Sequence, residues 1–187
     1  SEARYARTLE EMTALRALLD GDAVDQHGDH VQLAVDPPRA RTVSGSAPPF
    51  YFGGLSEPAR EVAAAAADVY LMWPDTMPTV AATIEDLRSR AARHGRELRF
   101  GYRVHVIVRE TEAEALAAAA RLVSRLDDEE GRRIRERSLD SASAGVRRQA
   151  ELRDAAGDEG FVEEHLWTGI GRARSGCGAA IVGDPDQ

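Results

Sequence analysis

One cysteine, Cys177, is the only thiol in 187 residues. A lone cysteine excludes an internal disulfide framework and suits a reducing cytoplasm, where the chain is expected to work. No apolar run approaches the roughly 20 residues that span a bilayer, and no signal peptide opens the chain. Positive charge is in deficit: 24 basic against 32 acidic residues give a net charge of −8. Nucleic acid and anionic membranes are therefore not expected as main partners. No Gly-x-Ser-x-Gly elbow exists to support a serine hydrolase. Gly169-x-Gly171 lacks the third glycine of a dinucleotide fingerprint. His27 and His30 have no third ligand nearby, which leaves them as hairpin surface rather than a metal pair.

What is present describes one globular domain. The apolar fraction is 43% and the charged fraction 30%, enough for a real core. Tyr5, Leu9, Met12, Leu15, Leu18 and Leu19 recur at helical spacing, predicting an amphipathic helix over 2–20 that stops at Asp20-Gly21. Two short strands round a turn follow over 24–33, and the proline-rich stretch 36–49 reads as an irregular connection.

From Phe50 the pattern alternates between strand and helix. Phe50-Tyr51-Phe52 reads as a short strand, and Ser56 as the N-cap of a helix reaching about Ala67. Residues 68–73 are the next strand, and 77–94 a helix closed by His94-Gly95. Residues 99–108 read as a third strand, and Thr111 to Glu114 opens a helix with a capping-box signature. This order predicts an α/β protein, either an open doubly wound sheet or a (β/α)8 barrel. On the third strand Arg103 and His105 share one face. In a sheet covered on both sides they would be held for chemistry or anion binding; on a half-exposed strand they would be a solvated polar face.

Other candidates keep two readings at this point. Gly53-Gly54-Leu55-Ser56 lies before a helix N-terminus and is either a phosphate cradle or a plain turn. Trp73 ends a strand, where it walls a pocket or simply packs. Arg172 and Arg174 in a glycine-rich loop are solvated or reach an anionic substrate. The charged stretch 127–160 is a solvated helical insertion or a specific binding surface, and an insertion this long is often a mobile lid.

Longer patterns carry a resemblance over nearly the whole chain. Pro48-Pro49-Phe50-Tyr51-Phe52-Gly53-Gly54-x-Ser56, Tyr70-Leu71-x-Trp73, Phe100 to Thr111, Leu126-Asp127-Asp128-Glu129, Leu166-Trp167-x-Gly169-x-Gly171-x-x-Arg174 and Val182-Gly183-Asp184 closely resemble the FMNH2-dependent alkanesulfonate monooxygenases of the bacterial-luciferase-like superfamily. The resemblance implies a partial (β/α)8 TIM barrel with a helical insertion over 127–160. It implies reduced FMN delivered by a separate NAD(P)H:FMN reductase, O2, an organosulfonate cleaved to aldehyde and sulfite, and a homo-oligomer. Arg103, His105 and Arg174 match the family's catalytic positions. Gly53, Gly54, Ser56 and Trp73 match positions that hold the flavin. Leu55 stands where relatives often carry serine. A full family member is about twice as long, so both ends are expected to be cut and the piece itself inactive. A deazaflavin or another substrate, or a non-catalytic dimerising half-barrel, are the alternatives.

Overall fold

The computed structural model describes residues 2–137, 143–172 and 176–186. They divide into two compact units. The first contains Ser1–Leu71 and Ile84–Gly101, the second Met72–Thr83 and Tyr102–Gln187.

The first unit opens with helix α1 (Glu2–Asp20), as its spacing predicts. Strands β1 (Val24–His27) and β2 (Gln32–Val35) form the expected antiparallel hairpin. Glu10 of α1 holds the hairpin turn: its carboxylate accepts the backbone N–H groups of Asp29, His30 and Val31. The His30 N–H foremost pulls the Glu10 carboxyl below its ordinary pKa. His27 and His30 are exposed on this hairpin.

The rest of the first unit is parallel α/β structure. Strand β3 (Tyr51–Phe52) pairs in parallel with β4 (Val69–Met72), whose other neighbour is β5 (Arg99–Tyr102). Helix α2 (Glu57–Ala66) connects β3 to β4, and α3 (Met77–Arg93) connects β4 to β5. Alanine lets α2 pack closely: Ala59, Val62, Ala63, Ala64 and Ala66 are all buried. Gly95 takes φ +64° just past α3, a conformation that favours glycine and stops the helix there.

Asp68, just before β4, joins three elements. One of its oxygens accepts from Arg16 of α1 at 2.7 Å and from the Phe50 N–H at 2.7 Å; the other accepts from Arg96 at 3.3 Å. Arg16 also stacks over the Phe50 ring, 4.2 Å from its centroid. Burial pushes the Asp68 carboxyl up, but the Arg16 and Phe50 hydrogen bonds and the two guanidinium charges outweigh it, and the pKa falls below the usual value.

In the second unit β6 (His105–Val108) pairs in parallel with β8 (Ala180–Gly183), which pairs antiparallel with β7 (Leu166–Trp167). Helix α4 (Glu112–Val123) covers one face of this sheet. Ala115, Ala118 and Ala119 pack there with Ile107, Trp167, Ala180 and Val182. Thr111 caps α4 as predicted, accepting the Glu114 N–H and donating its hydroxyl to the Glu114 carboxylate. Helices α5 (Asp128–Glu136) and α6 (Ala144–Ala155) and a 3-10 turn (Gly169–Arg172) belong to the same unit.

The single strand expected over 99–108 is a correction. It is two strands, β5 and β6, belonging to different sheets. Side-chain alternation carries through a break, so pattern alone does not reveal it; the change of pairing partner does.

Candidate active site

Within the first unit, the Gly53–Ser56 turn is built tightly. Gly54 lies at φ +155°, and a Cβ there would come within 2.7 Å of the Ala59 methyl. Its carbonyl accepts the Tyr70 hydroxyl at 2.7 Å. Tyr70 is fully buried, and burial raises its phenol above the ordinary value. Ser56 occupies the N-cap position with the extended backbone a cap requires, yet its side chain makes no capping bond. Its Oγ is buried and has no hydrogen-bond partner. The expected cap is therefore in place by backbone only. Glu57, whose charge would oppose an anion there, pairs with Arg90. An unsatisfied hydroxyl at the start of a ten-residue helix suits a phosphate oxygen, because the first-turn N–H groups and the helix dipole point the same way.

Within the second unit, Trp73, Pro74 and Asp75 follow the last residue of β4. The Arg103 N–H donates to the Met72 carbonyl at 2.9 Å, which brings Arg103 beside the end of that strand. The Arg103 carbonyl accepts the Cys177 thiol at 3.2 Å. His105, two residues on, sits opposite Ala180 in register. Arg103 and His105 are exposed, and among the described residues neither side chain makes a hydrogen bond or ion pair. Their expected place in a doubly covered sheet is thus not where this chain holds them. Helix α4 covers Ile107, whereas Val106, facing the other way, is 62% exposed. Trp73 is half-buried, close to Gly145 and Gly176. The backbone therefore brings Arg103 next to the strand end that carries Trp73, with His105 two residues further along the chain. Arg174 lies outside the described residues.

The sequence reading missed the group that fixes this corner. Arg148 of α6 grips Asp75 with two parallel bonds, Nε to Oδ2 and Nη2 to Oδ1, each 2.7 Å. Asp75 is largely buried, and its Oδ1 also accepts the Thr76 N–H. The Asp75 contact raises the Arg148 pKa, so this guanidinium stays charged throughout the working range. Next to it, buried Gln149 donates to the Pro74 carbonyl at 2.7 Å and accepts the Gly178 N–H at 3.1 Å. The signal was available: Gln149 and Leu152 lie one helical turn apart, and both are buried on α6.

The family model for luciferase-like monooxygenases matches residues 1–187. The chain belongs to the luciferase-like monooxygenase family. It is similar to the sulfoquinovose monooxygenase of Novosphingobium aromaticivorans, 65% identical over 98% of this chain and 51% of that protein. It is also similar to the sulfoquinovose monooxygenase of Agrobacterium fabrum, 49% identical over 98% of this chain and 48% of that one. This luciferase-like chain thus spans about half the length of the curated relatives it matches. Among solved structures it resembles DmoA from Hyphomicrobium sulfonivorans, with a TM-score of 0.67 at 16% identity, over 98% of this chain and 46% of that one. A riboflavin lyase crystallised with modified FMN and riboflavin gives a TM-score of 0.68 at 15% identity, over 99% and 48%. These likenesses show the fold alone: α/β structure of the luciferase-like type, representing part of a barrel. Both of these relatives carry the name of a sulfoquinovose enzyme rather than of an alkanesulfonate enzyme. No helix among the described residues is long and apolar enough to cross a membrane.

Proposed function

We propose that the full-length protein is a two-component, flavin-dependent monooxygenase that desulfonates an organosulfonate. Reduced FMN comes from a separate NAD(P)H:FMN reductase. The overall change balances as sulfonate plus FMNH2 plus O2 giving aldehyde, bisulfite, FMN and water. One oxygen atom ends on carbon, the other in water, and the two electrons that reduce it come from the flavin. The names of the relatives favour sulfoquinovose, a sugar sulfonate, over the plain alkanesulfonate first expected.

The observation that carries this reading is exposed Arg103, whose side chain has no partner among the described residues and whose backbone N–H bonds the carbonyl of Met72, the residue before Trp73. A guanidinium without a carboxylate partner has its fork of donors available for two sulfonate oxygens. Bound flavin would supply the oxidising power. Ser56 Oγ, with the Gly53-Gly54 backbone and the α2 N-terminus, would hold its phosphate, and Trp73 would offer an aromatic face. Once the carbon bearing the sulfonate is hydroxylated, the hydroxyl proton must leave as the C–S bond breaks. His105 is the side chain proposed to take it, since an imidazole ring nitrogen can accept a proton. Arg174 is proposed as a second guanidinium for the sulfonate. The insertion 127–160 is proposed to exclude water, with α6 as its anchored end.

The test is sulfite release by the full-length protein supplied with FMNH2 and O2, comparing sulfoquinovose with a linear alkanesulfonate. Arg103→Ala should lower kcat/KM at least about 100-fold, the scale of losing a principal anion contact. Wild-type sulfite release by the variant would remove Arg103 from this role. No sulfite from either substrate with the unmodified protein would sink the desulfonation reading.

A further inference from the structure

We propose that Gln149, together with the Arg148–Asp75 ion pair, is the positioning element that sets the Trp73 indole for substrate. Three observations within the second unit converge on that ring. Helix α6 holds the two residues after Trp73 directly: Gln149 binds the Pro74 carbonyl and Arg148 binds the Asp75 carboxylate by two bonds. The other end of the Gln149 amide takes the N–H of Gly178. One buried side chain thereby ties the strand end carrying Trp73 to the glycine stretch that begins at Gly176. Finally, the indole has glycine as a neighbour twice. A Cβ on Gly145 would lie 3.0 Å from its Cζ3, and one on Gly176 would lie 3.6 Å from its Cη2. The first turn of α6 and the Gly176 backbone therefore set how the ring lies, and Gln149 spans from that helix to the far end of the glycine stretch.

A primary amide suits the role because it gives one donor and one acceptor at fixed spacing without charge. Removing it would leave the Pro74 carbonyl and the buried Gly178 N–H without partners, so the two segments would separate or take up water. The ion pair beside it resists in-plane sliding, since a two-point guanidinium–carboxylate contact fixes orientation as well as distance. Gln149 touches no reacting atom in this scheme. It acts through Trp73, as a supporting shell fixes a contact residue.

The inference takes the desulfonation reading as given, and its test separates the two. In the full-length protein labelled with 5-fluorotryptophan, the Trp73 fluorine resonance is assigned by Trp73→Phe. Gln149→Met, matched in size but unable to make either bond, should shift and broaden that resonance. It should also raise the sulfonate KM about tenfold, the scale of stranding a buried amide partner. Gln149→Glu keeps the acceptor for Gly178 and loses the donor to Pro74, so it should fall between. Gly145→Ala removes no hydrogen bond and presses a methyl on the ring. It should move the same resonance and KM, and it decides the matter if Gln149→Met does not fold. An unchanged Trp73 resonance in folded variants overturns the positioning role. So does a shifted resonance with an unchanged sulfonate KM. If the unmodified protein releases no sulfite, the functional reading fails, and the resonance alone then shows whether α6 sets the indole.

Discussion

Several cations in the first unit are held by carboxylates, whereas at the corner of the second unit Arg103 and His105 have no such partner among the described residues. Arg16 and Arg96 converge on Asp68, and Arg90 bonds Glu57, Glu61 and Asp86. Arg60 takes the second oxygen of Asp86, and His94 bonds Glu61. The chain contains no lysine, so apart from histidine every cation is a guanidinium, able to satisfy several acceptors at once. In the second unit Arg148 is paired just as firmly, yet Arg103 and His105 make no side-chain bond among the described residues. The contrast separates two uses of one residue type. A guanidinium surrounded by carboxylates and carbonyls joins elements of the fold. One left without a carboxylate partner among the described residues, at a strand end, is the one proposed to take an anion.

The comparison is broken most severely from the paired side. Asp68→Asn should leave Arg16 and Arg96 facing a neutral amide in a half-buried setting and destabilise the protein by about 2 kcal/mol. The pH dependence has a definite sign. The folded-state pKa of Asp68 lies below its ordinary value. Its contribution is therefore complete above about pH 4, the unfolded carboxyl value, and is lost as pH falls through the lower folded value. Denaturant midpoints of wild type and variant should stay apart from pH 5 to 8 and converge below pH 4. A constant gap down to pH 2 would contradict the charge-based account.

This division of labour was only partly legible in the sequence. Local signals were reliable where they act locally. The α1 spacing, the hairpin, the Gly95 stop and the Thr111 cap all depend on residues within a turn or two. Arg103 and His105 were singled out as a charged pair on one strand face where bare charge is costly, and Trp73 as the end of a strand, where α/β folds place ligands. What could not be read was long-range pairing. The break between β5 and β6 depends on β8, some 75 residues away in sequence by its register with β6. Ser56 looked like a complete cap because the sequence pattern does not reveal that its hydroxyl makes no capping bond. Gln149 and Arg148 were absorbed into a run of charge read as solvated. Their partners, Pro74 and Asp75, lie 75 and 73 positions earlier.

A smaller effect should come from Ser56, where a polar group lacks a partner rather than having several. Its buried Oγ has lost water without gaining a hydrogen bond, so Ser56→Ala should be neutral or stabilising by up to about 1 kcal/mol in flavin-free protein. The same change should weaken FMN binding, measured by fluorescence titration, by about tenfold, one charge-assisted hydrogen bond to phosphate. Destabilisation in the flavin-free protein would show that the hydroxyl already has a structural partner. Unchanged FMN affinity would remove it from the phosphate site.

The smallest expected effect is the sharpest form of the contrast. Arg103 should matter greatly for sulfonate turnover and hardly at all for folding. Its side chain is exposed and without a partner among the described residues, while the strand-end bond to the Met72 carbonyl uses the backbone N–H and survives truncation. Arg103→Ala should therefore shift the denaturant midpoint by no more than about 0.5 kcal/mol, the usual range for exposed substitutions away from caps and networks. Against about 2 kcal/mol for Asp68→Asn, that difference would separate a guanidinium held for an anion from one holding the fold together. A loss equal to that of Asp68→Asn would mean that Arg103 finds carboxylate partners in the full-length protein. Its availability to a sulfonate would then depend on breaking them, and the pairing state of a cation would no longer distinguish the two units.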